Sequence, residues 1–117
     1  MDAKMKKELI TYGINMEDTL KRFMGNEELY GKFLEKFLHD DSYNQLKISL
    51  QEQDLGEAYK NAHMLKGVTA NLGIDPLSKV VAILVEDLIV AKVDRIEKLM
   101  KDIDKKYVDI INIIEKY

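Results

Sequence analysis

Apolar residues recur at intervals of three and four almost from end to end of this chain, and only one proline and six glycines interrupt them. That period is the period of a helix, and it leaves no alternating stretch bounded by turn residues from which a sheet could be assembled. The predicted fold class is therefore all-α. At 117 residues the chain is one domain, long enough to bury a conventional core. It has no cysteine, which excludes disulfides and thiolate metal sites. Eighteen Lys plus Arg against 21 Asp plus Glu give a net charge of −3 with no basic stripe, so bulk attraction to nucleic acid is not expected. The longest apolar run is Val80 to Val85, far short of a membrane span, and the charged N-terminus does not read as a secretory signal. A cytoplasmic protein with no membrane partner is the expectation.

Local signals divide the chain. A first helix is predicted over Ala3 to Tyr12, stopped by Gly13. Asn15 caps a short second helix with Glu17 and Asp18 in its first turn, ending near Gly25, and Asn26 caps the next. From Glu27 to about Gln53 the apolar set Leu29, Tyr30, Phe33, Leu34, Phe37, Leu38, Leu46 and Leu50 fits one long helix or two collinear ones, with a kink falling at His39-Asp40-Asp41-Ser42. Asp54 and Glu57 form a capping box opening a helix from Leu55 to about Leu72. Gly73 ends it, Asp75 caps its successor, and Pro76 takes the first helical position. The apolar helix Pro76 to Val90 is expected to be the most buried. Asp94 and Glu97 repeat the capping box before a last helix striped by Ile96, Leu99, Met100, Ile103, Tyr107, Ile110, Ile111 and Ile114. Four long helices with short connections and one apolar stripe each imply an antiparallel up-down four-helix bundle, with the two short N-terminal helices capping one end.

Few residues could carry chemistry. His39, followed by two aspartates, reads as a solvated surface histidine, since adjacent helical positions point about 100° apart and cannot converge on a metal. His63 differs because of its helix. Ala58, Ala62, Leu65, Thr69 and Leu72 fall on one face and mark the core side, leaving His63 on the flank with Gly67 one turn on and Ala70 two turns on. Lys66 is its helical neighbour. Gly67 is the least expected residue, because glycine inside a helix costs about 1 kcal/mol relative to alanine. Its direction argues against close packing with a neighbouring helix and for access to the imidazole by a phosphoryl group or another protein. Lys66 disfavours imidazolium but stabilises a dianion attached to the ring, which suits a nucleophile neutral before reaction and negative after it.

The run Ala62-His63-Met64-Leu65-Lys66-Gly67, with Ala70 and then Gly73, resembles the signature of histidine-containing phosphotransfer (HPt) domains of bacterial multistep phosphorelays. Gly13-Ile14-Asn15, Leu20 to Asn26, Leu29-Tyr30, Phe37, Leu46, Leu50 and Asp54 are similar to the stretch that precedes that signature, whereas the C-terminal half agrees only in helical pattern. Val68 departs from the smaller residue common there. The resemblance implies a four-helix bundle with His63 phosphorylated, Lys66 steadying the phosphoryl oxygens, Gly67 giving steric access, and Met64 and Ala70 on the partner surface. It implies as partners a response-regulator receiver domain and a sensor or hybrid histidine kinase. No cofactor is implied for this chain, since Mg²⁺ would sit on the receiver, and no ATP-dependent kinase activity of its own. A monomer is expected. Two other readings stay open: a non-catalytic helical adaptor using the same face, and the phosphorylated module of a chemotaxis-type kinase. Met1 opening onto a helix and Tyr117 closing one favour a stand-alone domain over the latter.

Overall fold

A computed structural model describes residues 1–117, and it is all-helical. Seven helices follow one another: α1 Ala3–Tyr12, α2 Met16–Lys21, α3 Glu27–Phe37, α4 Ser42–Gln51, α5 Leu55–Asn71, α6 Asp75–Ile89 and α7 Ile96–Glu115. The molecule measures 42 × 24 × 21 Å. The chain from Glu27 to Gln51 is two helices, not one. Where a kink was expected, Asp40 accepts hydrogen bonds from the backbone N–H and hydroxyl of Ser42, and this short polar loop ends α3 and starts α4.

From α4 onward each helix packs on the next, α4 on α5, α5 on α6 and α6 on α7. Aromatic contacts join the first half to the last helix: the Tyr43 and Tyr107 rings stack at 3.7 Å, Phe37 meets Tyr107 edge-on at 5.9 Å, and the Tyr43 hydroxyl donates to Asp104. α1 lies along the C-terminal half of α7, where the Tyr12 hydroxyl donates to the Lys106 carbonyl and Glu8 pairs with Lys116. Twenty-four buried apolar residues form one core. α6 supplies the largest share, including Leu77, Val81 and Leu84, as its apolar sequence predicts. No buried side-chain polar atom lacks a hydrogen-bond partner, so the core carries no uncompensated desolvation.

The helix starts separate local signals from those that tertiary contacts override. Asn15 and Asn26 accept from the N–H of Asp18 and Leu29, as expected of N-caps. Asp54 accepts from the N–H of Glu57, but the Glu57 carboxylate turns to Lys60 at 3.4 Å, so only half of that capping box forms. Asp75 is not a cap. Ile74 occupies that position without a side-chain bond, and Asp75 is the first residue of α6, where its charge still meets the helix dipole. Pro76 accordingly sits one place inside. The Asp94 box does not form either: Arg95 stands at the N-cap of α7 and turns its guanidinium back to Asp87, at 2.7 and 3.0 Å. α2 stops at Lys21, and residues 22–25 are a turn with Met24 and Gly25 at positive φ.

At the α5–α6 junction neighbouring elements approach so closely that two positions have no room for a Cβ. Gly73 has φ +72°, and a Cβ there would lie 2.0 Å from Thr19 Oγ1. Gly13, φ +129°, packs against the Pro76 ring, which a Cβ would meet at 2.6 Å. Both positions need glycine for backbone conformation and for space. The buried Tyr30 hydroxyl donates to the Leu72 carbonyl at 2.7 Å, and Arg22 donates to the Ala70 and Asn71 carbonyls, each at 3.1 Å. Together they satisfy the last carbonyls of α5, with a positive charge at the negative end of its dipole.

Candidate functional site

The site follows from how α5 divides its surface. Ala58, Ala62, Leu65, Thr69 and Leu72, the predicted inner stripe, are all buried. Small alanines let α5 approach its neighbours closely, and the Thr69 hydroxyl is satisfied within the helix by donating to the Leu65 carbonyl at 2.7 Å. With that face fixed inward, His63, Met64, Gly67 and Ala70 are all exposed and Lys66 is half-buried. Val68, the departure from the HPt pattern, is half-buried against the core and takes no part in the exposed face.

His63 projects into solvent from the middle of a 17-residue helix, and neither ring nitrogen makes a hydrogen bond. The ring is therefore held by its backbone and by one neighbour. Tyr59, one turn earlier, lies with its ring 5.9 Å from the imidazole and tilted 30° to it. Lys66 forms neither an ion pair nor a hydrogen bond, so its ammonium is not committed elsewhere. Glu57, the acid preceding His63 on this helix, is held by Lys60.

Gly67 lies in regular helix without a positive φ, and a Cβ built on it would touch nothing within 4 Å. Internal packing therefore gives no reason for glycine at this point. Beside the histidine, Met64 is 60% exposed, and a groove of about 430 Å³ runs between Leu55, Gly56 and Tyr59 of α5 and Leu88 and Ile89 of α6. This flank offers an unpartnered nucleophilic nitrogen, a free cation one turn away, a bare stretch of backbone and apolar surface on which another molecule could rest.

All five predicted residues, His63, Met64, Lys66, Gly67 and Ala70, lie on α5, but they are not equivalent. Ala70 is exposed as a side chain, while its carbonyl is taken by Arg22. Tyr59 and Arg22 were not singled out by sequence reasoning. Tyr59 stands four positions before His63, so helical spacing was the available signal for it. Arg22 reaches α5 from 48 positions away, and no local pattern announces that contact. His39 is exposed, and no three His, Asp or Glu side chains anywhere in the chain are grouped so that they could hold a metal ion. No helix is long and apolar enough to cross a membrane. No family model, no curated protein and no solved structure matches this chain.

Proposed function

We propose that this chain is a phosphorelay intermediate that accepts a phosphoryl group on His63 and passes it to a response regulator. The observation that carries this reading is the surroundings of the imidazole: both nitrogens unpartnered, an uncommitted Lys66 one turn on, and at Gly67 an open space that nothing inside the chain requires. The likeness of Ala62 to Gly67 to the HPt signature supports it. In this reading α3 with α4, α5, α6 and α7 form the antiparallel four-helix bundle of that family, and the protein works in the cytoplasm as a monomer.

The step is a direct exchange. Neutral His63, its proton on Nδ1, attacks the phosphorus of a receiver's aspartyl phosphate through the Nε2 lone pair. The N–P bond forms as the acyl phosphate P–O bond breaks, and the aspartate leaves as carboxylate. The Nδ1 proton stays on the ring. Lys66 offsets the phosphoryl charge, and Gly67 lets the donor approach along the helix. Transfer to the next receiver reverses the sequence. This chain contributes the nucleophile and the cation, while the acidic pocket and Mg²⁺ belong to the receiver. It has no ATP-dependent kinase activity of its own.

The test is incubation with a panel of phosphorylated receiver domains, followed by scoring of phosphate that is stable in base and lost in acid. Label on the unaltered chain and none on His63→Gln is expected, with no label from ATP alone. Receiver binding that persists in His63→Gln, with neither protein ever labelled, would establish the adaptor reading instead.

A further inference from the structure

The largest groove in the molecule, about 650 Å³, contains no residue of α5 and is unrelated to His63. Its walls are α3 on one side and the start of α1 with the end of α7 on the other. The floor is apolar, with Met5, Leu38 and Ile114 at its base. The rim is acidic. Of its five carboxylates, Asp2 caps α1 and Glu27 pairs with Lys6 at 2.7 Å, leaving Glu28, Glu35 and Glu115 without partners against one side-chain cation, Lys32.

Gly31 supplies an independent observation. It lies within α3 between Glu28 and Glu35 and lines the groove, and a Cβ built on it would meet nothing within 4 Å. Its φ is not positive, so neither backbone conformation nor packing in this chain accounts for a residue that costs a helix about 1 kcal/mol relative to alanine. A side chain here would project into the groove. Its absence bares the α3 backbone along a wall that, from Glu27 to Leu38, spans about 16 Å at 1.5 Å per residue.

We propose that this groove binds an amphipathic helix of a partner protein, laying apolar side chains on the floor and directing lysines or arginines to Glu28, Glu35 and Glu115. The apolar floor excludes a simple cation as occupant, and the carboxylate rim repels an anionic membrane surface. About three helical turns match the wall, and Gly31 permits the close backbone approach that helix-in-groove docking uses.

The probe is a 14-residue helical peptide with leucines on one face and lysines on the flanks, compared with the same peptide carrying glutamates for lysines. Binding to the full chain is followed by shifts of backbone amide signals. The lysine peptide should perturb residues around Glu28, Lys32, Glu35 and Ile114 and weaken as salt is raised, while the glutamate peptide should not bind. Gly31→Leu should weaken binding by about tenfold or more, and Glu28→Gln with Glu35→Gln by about tenfold. The latter pair is on the surface and leaves the fold intact, so it stands if Gly31→Leu folds poorly. His63→Gln should bind as the unaltered chain does, which separates this site from the phosphotransfer reading. Equal binding of both peptides, shifts centred on Tyr59 and Ile89 instead, or no binding would overturn the proposal. Self-association of the free chain abolished by Gly31→Leu would assign the groove to a second copy and overturn it as well.

Discussion

α5 and the turn that ends it use glycine for opposite reasons. At its end, Gly73 is demanded from inside: its backbone is left-handed, and Thr19 occupies the place a Cβ would take. Two turns earlier, Gly67 is ordinary helix facing open space. The first glycine is explained by the fold that surrounds it and the second is not. A residue that weakens its own helix and satisfies nothing within the molecule points outward, to whatever approaches from solution. His63 and Lys66 share that property, since neither side chain makes a hydrogen bond or ion pair, whereas at the junction Arg22 and Tyr30 both donate to backbone carbonyls and Thr19 packs against Gly73.

The sharpest way to break this contrast is alanine at both glycines. Gly73→Ala forces an L-residue into a left-handed conformation against Thr19 and should lower unfolding stability by about 3 kcal/mol, measured by urea titration. Stability within experimental error of the unaltered chain would show that the junction yields easily. Tyr30→Phe removes the buried hydroxyl from the Leu72 carbonyl at the same junction and should cost about 1 to 2 kcal/mol. On the outward stretch, Lys66→Ala should leave stability nearly unchanged and slow the proposed phosphotransfer to His63 about tenfold, the loss of one charge-assisted contact. Rapid-quench kinetics with a phosphorylated receiver would check it, and an unchanged rate would remove lysine from the mechanism. Gly67→Ala should raise stability by up to about 1 kcal/mol while slowing transfer, and a variant both more stable and equally fast would leave the glycine without a role.

A smaller effect concerns the other end of α6. Asp87 has a side chain only 6% exposed, and the Arg95 guanidinium bonded to it holds its carboxyl below the ordinary value of 3.8. A depressed folded-state pKa stabilises above the unfolded value, and that stability is lost as pH falls through the folded one. Asp87→Asn should therefore reduce stability at neutral pH and flatten the loss of stability below about pH 4 seen for the unaltered chain. Parallel acid limbs for the two proteins would assign that loss to other carboxylates.

How much of this was legible beforehand depends on the range of each interaction. The α1 boundaries, the asparagine caps and the inner stripe of α5 follow from contacts within one or two helical turns, and the structure agrees with them. The apolar spacing of α7 was also right, though only Ile103, Ile110 and Ile114 are buried and the rest of its stripe is half-covered. The misses are places where a distant partner outbid a local rule. Arg95 follows a good capping aspartate, yet its guanidinium gains more from the shielded Asp87 carboxylate, and the box at Asp94 gives way. Phe33 matches the inward pattern of α3 but is 38% exposed, its ring tilted 54° against that of Phe23 with Lys36 over it. At the candidate site, position and exposure of His63, Lys66 and Gly67 were readable from helical geometry alone. The Tyr59 ring beside His63 and the groove on α3 were not, because side-chain direction and the approach of separate helices decide them.

The clasp around the end of α5 also bears on the order in which the chain folds. Most contacts here lie within helices or between successive ones, and such local contacts form quickly. Tyr30 and Arg22 must instead find carbonyls 42 and 49 positions away, and Thr19 must come to rest against Gly73, 54 positions on. Closing loops of that length carries an entropic cost that short helical hairpins avoid. Docking of the first thirty or so residues should thus be the slow event, following assembly of α4 to α7, and it would be the step that converts a loose helical cluster into one structure.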